Sequence, residues 1–283
     1  MRISSLSLAI SIAAGVALSG CSGGSVLPLG PGAGGESTDL VTYGLLDQTT
    51  DATSVIAGHR LISNTSSILA LSATLDHQTR NLNEFTDGVV SLTDSTGDEN
   101  GVWTDGTTSA TPSDALPGNF EYVGLYNITS PNGSGPAIVG VVTPSAAIPA
   151  SGTANFTGSG FVEGSTLDGG LISTSANSSF TVNLGTKAAF VTLSSLTGTS
   201  EFSQLEITGM TLDATDGTIT GGTVLLSSGS TDITGATLGT QISTIAAATL
   251  FGIESNATTP AEVGGVFHVS GTDGILFGGF LGR

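Results

Sequence analysis

Positive charge is scarce in this chain. Five Lys and Arg, with Lys187 the single lysine, stand against 23 Asp and Glu among 283 residues. A field that negative repels phosphate backbones and argues against nucleic acid as a partner. Cysteine occurs once, at Cys21. One thiol permits no internal disulfide and no cysteine-based zinc site. Aromatic residues make up 5% of the chain. That is too few for the paired girdles of an integral outer-membrane barrel. Good helix formers such as Lys, Arg and Gln are rare, which argues against a helical protein. Charged residues reach only 10% while hydrophobic ones reach 38%. That balance argues against simple disorder.

The N-terminus reads as an address. Met1-Arg2 precedes an apolar, Ala- and Ser-rich run from Ile3 to Leu18. The run is short for a membrane span and has the length of a secretory core. It ends in Leu18-Ser19-Gly20-Cys21, which resembles the bacterial lipobox. The alternative is an ordinary signal peptide with an incidental Cys. In the lipobox reading, residues 1–20 are removed and Cys21 is acylated. Several chains on one residue, palmitate among them, hold stably where one would not. Ser22 after Cys21 resembles the sorting pattern for the outer membrane. Arg2 leaves with the signal, so the mature chain is more acidic than the raw count. Residues 21–38 are Gly-, Pro- and Ser-rich and form a flexible tether.

From Asp39 onward the punctuation is that of β-structure. Five Asp-Gly pairs begin at Asp87, Asp105, Asp168, Asp216 and Asp273. Asp-Gly suits two-residue hairpin turns, in which both positions need positive φ. Runs at 202–212 and 219–226 flank Asp216-Gly217, and runs at 262–269 and 275–281 flank Asp273-Gly274, which predicts two hairpins. Segments 242–251 and 52–61 are the only candidates for helix, and the first reads equally well as a strand. Ser/Thr/Pro-rich breaks fall near 107–118 and 144–152. The reading is all-β, with an N-terminal domain at 39–112 and a larger one at 113–283. Strands near Phe120–Ile128 and Ile138–Val142 are taken as an extension of the second domain.

Several stretches of the second domain resemble the barrel domain of transferrin-binding protein B-like surface lipoproteins. They are Ser151-Gly-Thr-Ala-Asn-Phe-Thr-Gly158, Phe251-Gly252 followed by Ala261-Glu-Val-Gly-Gly-Val-Phe267, and the tail Gly278-Gly-Phe-Leu-Gly-Arg283. Tyr122 and Pro136 to Val142 resemble an upstream stretch of the same family. The resemblance covers about residues 119–283. It implies an eight-stranded, lipocalin-like antiparallel barrel preceded by a smaller, handle-like β domain. It also implies a binding role, since the family includes transferrin receptors, a complement-regulator binder and haem-capturing proteins. Gly264-Gly265 then marks a close backbone approach within a strand. Ile275, Phe277 and Leu281 should share one face of the last strand, and Leu276 and Phe280 the other.

Chemistry-bearing patterns are few. Gly20-Cys-Ser-Gly-Gly24 fits a nucleophile-elbow pattern, but inside the lipobox and without a strand before it. Gly30-Pro-Gly-Ala-Gly-Gly35 fits a dinucleotide fingerprint, but inside the tether. No enzyme activity, resident cofactor or metal is expected. Asp94, Asp98, Glu99, Asn100 and Asp105 form an oxygen-rich stretch whose spacing does not fit an EF-hand loop. His59, His77 and His268 are the only imidazoles. His268, in a strand of the barrel, and Trp103, if exposed, are the candidate ligand contacts. The expectation is a monomeric, surface-exposed outer-membrane lipoprotein that captures iron, haem or a protein. The alternative is a structural or adhesive coat protein without a specific ligand.

Overall fold

The computed structural model describes residues 53–62, 67–76, 81–86, 91–97, 102–104, 107–113, 115–116, 120–131, 133–166, 170–196, 202–252 and 259–283. In its first four strands, side chains are described only at 57–61, 68 and 71. Cys21, the tether, His77, Asp98, Glu99, Asn100 and Asp105 lie outside the described residues, as does the side chain of Asp94.

Two antiparallel sheets make up the described chain. The first runs β1 (Thr53–Ile62), β2 (Ser67–Asp76), β3 (Asn81–Thr86), β4 (Ser91–Gly97), β5 (Trp103–Thr104), β6 (Ser109–Pro112), β7 (Val123–Ser130) and β8 (Gly133–Val141). Each strand pairs with the next, and β1 pairs with β8 to close a barrel. The second sheet comprises β9 (Thr153–Thr166), β10 (Leu171–Asn183), β11 (Ala188–Ser194), β12 (Gln204–Leu212), β13 (Thr218–Ser228), β14 (Thr231–Asp232), β15 (Gln241–Phe251), β16 (Glu262–Gly271) and β17 (Gly274–Gly282). A five-residue helix, α1 (Thr234–Leu238), precedes β15. The order β12-β11-β10-β9-β17-β16-β15-β13-β14 is closed by pairing of β12 with β13. Eight strands therefore form a ring, with β14 attached to β13.

The all-β expectation holds, and so do both hairpins: β12 pairs with β13 across Asp216-Gly217, and β16 with β17 across Asp273-Gly274. The described part of segment 52–61, from Thr53 on, and segment 242–251 are strands rather than helices. β1 finds partners on both sides and β15 pairs with β16 along nearly its whole length, so sheet bonding overrides the Ala content of both. The change of sheet does not coincide with 112/113. β7 and β8 close the first barrel, and the chain crosses between sheets at 142–152, through a single 3₁₀ turn at Ser145–Ala147.

Alternation along the strands builds the second barrel. In β10, Ile172, Ala176, Phe180 and Val182 point inward while Ser173, Ser175, Asn177 and Ser179 are exposed. In β17, Leu276 and Phe280 enter the interior, and Phe277 and Leu281 face outward against the first sheet. Ile207 and Met210, three apart, both point inward because β12 carries a bulge opposite β11. Gly209, at φ 74°, supplies the extra residue. The lumen is packed with large apolar side chains. Phe180 stacks on Phe280 at 5.6 Å between ring centres and tilts against Phe156 at 6.3 Å.

Candidate binding surface

The two sheets meet along a seam lined by Leu61, Phe120, Val123, Leu125 and Ile138 from one side and Phe251, Val266 and Leu281 from the other. Gly264 lets the sheets approach: a Cβ there would lie 2.5 Å from the Ile138 side chain and 2.8 Å from that of Leu281. Glu262, buried at the start of β16, accepts hydrogen bonds from the N–H groups of Glu121 (2.7 Å), Tyr122 (2.8 Å) and Val123 (3.1 Å). Burial pushes its carboxyl pKa up, and those three donors and Arg283 pull the other way. Arg283 also pairs with Glu121 at 3.5 Å across exposed surface. Backbone bonds extend the join: Val142 bridges Phe251, Thr143 N–H donates to the Leu250 carbonyl, and Gly252 N–H donates to the Val141 carbonyl.

Both described histidines lie in this seam. His59, on β1, brings Nε2 to 2.9 Å from Thr249 Oγ1 and 3.2 Å from the Ala248 carbonyl of β15. His268 sits on the outer wall of the second barrel, paired across strands with Ile245 and Phe277. It is 4% exposed, and neither ring nitrogen has a hydrogen-bond partner. Burial lowers the pKa of both imidazoles, although at His59 the Ala248 carbonyl and Asp216 oppose that shift. Trp103 is not available for surface contact. It is 3% exposed inside the first barrel and packs on Tyr126 at 5.6 Å. Cα–Cα pairing runs from Trp103 to Ala110 and on to Ile128, all buried, so the barrel closes over the indole. The structure thus brings His59 and His268 to one interface and leaves Trp103 apart from it.

With the lumen packed and the seam filled, exposed apolar surface remains at the end of the second barrel away from Phe251. Leu171 is 83% and Ile242 71% exposed, with Ile275, Leu225 and Ile245 exposed beside them. Leu171 and Ile275 share one outward row, both pairing with Ser165 of β9. Gln241 Nε2 bonds the Val224 carbonyl at 2.7 Å, which brings Ile242 close to Leu225. The charged groups described at this rim are carboxylates: Asp232, exposed, and Asp273, Glu206 and Glu163, partly exposed, with Glu206 paired across strands to Leu225. The Asp232 carboxylate accepts the Thr234 N–H at 2.9 Å, which holds its pKa below the usual value. Among the described residues, Lys187 and Arg283 lie at the opposite end and Arg60 in the first sheet. Sequence reasoning missed this rim. Its five apolar residues are scattered over four strands, and only the closed ring makes them neighbours.

No protein-family profile and no curated protein matches the chain. Solved structures do. A point mutant of transferrin-binding protein B from Haemophilus parasuis aligns with 80% of this chain and 45% of its own, at 16% identity and a TM-score of 0.52. Transferrin-binding protein B from serogroup B Neisseria meningitidis aligns with 81% of this chain and 43% of its own, at 17% identity and a TM-score of 0.47. The fold is that of transferrin-binding protein B, and the chain spans less than half the length of these structures.

Proposed function

We propose that this protein is a lipid-anchored binding module of the outer cell surface that captures its ligand on the far rim of the second barrel. The observation that carries the reading is the contrast between a lumen filled by Phe156, Phe180 and Phe280 and a rim that exposes Leu171, Ile242 and Ile275. A calyx-type small-molecule site has no support in that arrangement. An exposed apolar arc beside carboxylates suits a protein partner with an apolar centre and a basic border. Capture of an iron-bearing protein is the form of this function that the likeness to transferrin-binding protein B favours, and haem capture has only the sequence resemblance behind it. Cys21 supplies the anchor, the Gly-rich tether supplies reach, and the module works as a monomer without catalytic activity.

The adhesive alternative has one observation in its favour, the outward ladder of Ser173, Ser175, Asn177 and Ser179 on β10. The two readings separate in solution. Full-length Cys21→Ser protein is offered haemin, ferric citrate and iron-loaded transferrin, with retention followed by native mass spectrometry and biolayer interferometry. Saturable binding of one of them is expected. It should weaken at least about tenfold in a Leu171→Asp/Ile242→Asp variant of unchanged melting temperature. Absence of binding, or binding indifferent to the rim, favours the adhesive reading. Cys21→Ser should also move the protein from the membrane to the soluble fraction. Retention on the membrane would overturn the anchor.

A further inference from the structure

The interior of the first barrel collects hydrogen-bond donors. Val123 and Leu125 of β7 face the seam, so Tyr126 and Ile128 point the other way, into the barrel. Tyr126 pairs with Ala137 of β8, and Ala137 with Arg60 of β1. These three share a face, with Arg60 and Tyr126 about 10 Å apart along the backbone ladder and only a methyl group between them. Trp103, one row over, rests its ring on Tyr126. Arg60, Trp103 and Tyr126 are 0%, 3% and 1% exposed. The Arg60 guanidinium donates from Nη2 to the Gly133 carbonyl at 3.0 Å and to the Ile128 carbonyl at 3.4 Å.

Trp103 Nε1 and Tyr126 Oη are both buried and find no hydrogen-bond partner among the described residues. An indole N–H can only donate. Burial raises the Tyr126 pKa, which keeps its proton in place as well. Leaving one such group unpaired costs about 1–3 kcal/mol, and two sit in contact here. Small residues, Ala110 and Ala137, stand next to them in the ladder, with Ile128 beyond Ala110. Two acceptor-seeking hydrogens beside a guanidinium in a low-dielectric interior define an anion's coordination sphere.

We propose that the first barrel encloses a small anion, held by Trp103 Nε1–H and Tyr126 Oη–H beside the Arg60 guanidinium. Its chemical class is a compact acceptor without donors of its own: a halide, a small carboxylate or an inorganic oxyanion. The site is independent of the rim and of the surface role proposed above.

Trp103 is the only tryptophan in the sequence, so its indole N–H gives a single, assignable nitrogen–proton NMR signal. The full-length Cys21→Ser protein, freed of anions by refolding, is titrated with chloride, acetate and phosphate in turn at constant ionic strength. One of them should shift the indole signal downfield in a saturable way and raise the melting temperature in step. Tyr126→Phe, which removes a single oxygen, should weaken that response at least about tenfold. Ser179→Ala, on the outer surface, should leave it unchanged. A signal indifferent to all three anions, or a response equal in Tyr126→Phe, overturns the proposal. So does a high-resolution crystal structure with an ordered water bridging the two donors. If Tyr126→Phe fails to fold, the wild-type titration alone decides, since saturation by one anion and not the others cannot come from bulk salt.

Discussion

Gly265 and Gly264 are adjacent in β16 and do opposite work. Gly264 faces the seam, whereas Gly265 faces the lumen, where a Cβ would lie 2.6 Å from the Ala248 Cβ, 2.7 Å from the Ala247 carbonyl and 2.8 Å from the Phe280 ring. Two of these three obstacles belong to the neighbouring strand and cannot swing away. Gly265→Ala is therefore expected to destabilise the fold by about 1–3 kcal/mol, read as a lowered urea midpoint with little change in slope. Leu171→Ala, at an exposed rim position, should move the same midpoint by less than about 0.5 kcal/mol. The expectation of a close approach at the Gly264-Gly265 pair follows from two adjacent glycines in an apolar run. Which sheet each residue faces does not, because that depends on Ile138, more than a hundred residues away.

At the scale of strands, β12 shows how a small irregularity keeps a barrel in register. Without the bulge at Gly209, alternation from Leu205 and Ile207 would send Met210 and Leu212 outward. Deleting Gly209 would put Met210 and Leu212 in plain alternation with Ile207 but slip them by one residue against β13, whose pairing with β12 runs without a shift from Gln204 to Leu212, so it should disrupt the second barrel more than Gly209→Ala does. The point substitution meets nothing within 4 Å and costs only the strain of φ 74°, about 1 kcal/mol. Circular dichroism and denaturation midpoints distinguish the two outcomes. Hairpins were the legible part of this scale. Asp216-Gly217 and Asp273-Gly274 specify their turns locally, whatever the rest of the chain does. β1 and β15 were not, since short apolar segments, Ala-rich in β15, fit helix or strand until a partner strand is in place. The assignment of β7 and β8 to the first barrel was hidden for the same reason: β8 is needed to pair with Thr53–Ile62, far upstream.

For the whole molecule, the seam sets the response to acid. His59 and His268 both have folded-state pKa values below the ordinary 6.5, mainly because of burial. The unfolded chain therefore takes up protons first as pH falls below about 6.5, and stability declines from there down to the folded-state values. Glu163 and Glu262, whose pKa values burial raises above 4.5, act in the opposite direction at lower pH, where the folded state holds their protons more tightly. Denaturation midpoints should thus start to fall as pH drops through about 6.5 and go on falling below 6, until the two carboxyls oppose the decline. His268→Leu, which replaces an unpartnered ring by an apolar side chain, should reduce the slope. Equal midpoints at pH 7.5 and 6 would show that the seam tolerates both charges.

The place of β17 between β16 and β9 also has a temporal meaning. Gly158 pairs with Gly282, so the ring joins through contacts more than a hundred residues apart in sequence. Loop closure of that span is slow, and until residues 274–282 have emerged, β9 and β16 present open edges to any neighbour. Late closure leaves those edges unpaired until the last strand is in place, so association with a neighbouring chain competes with folding most strongly before that moment.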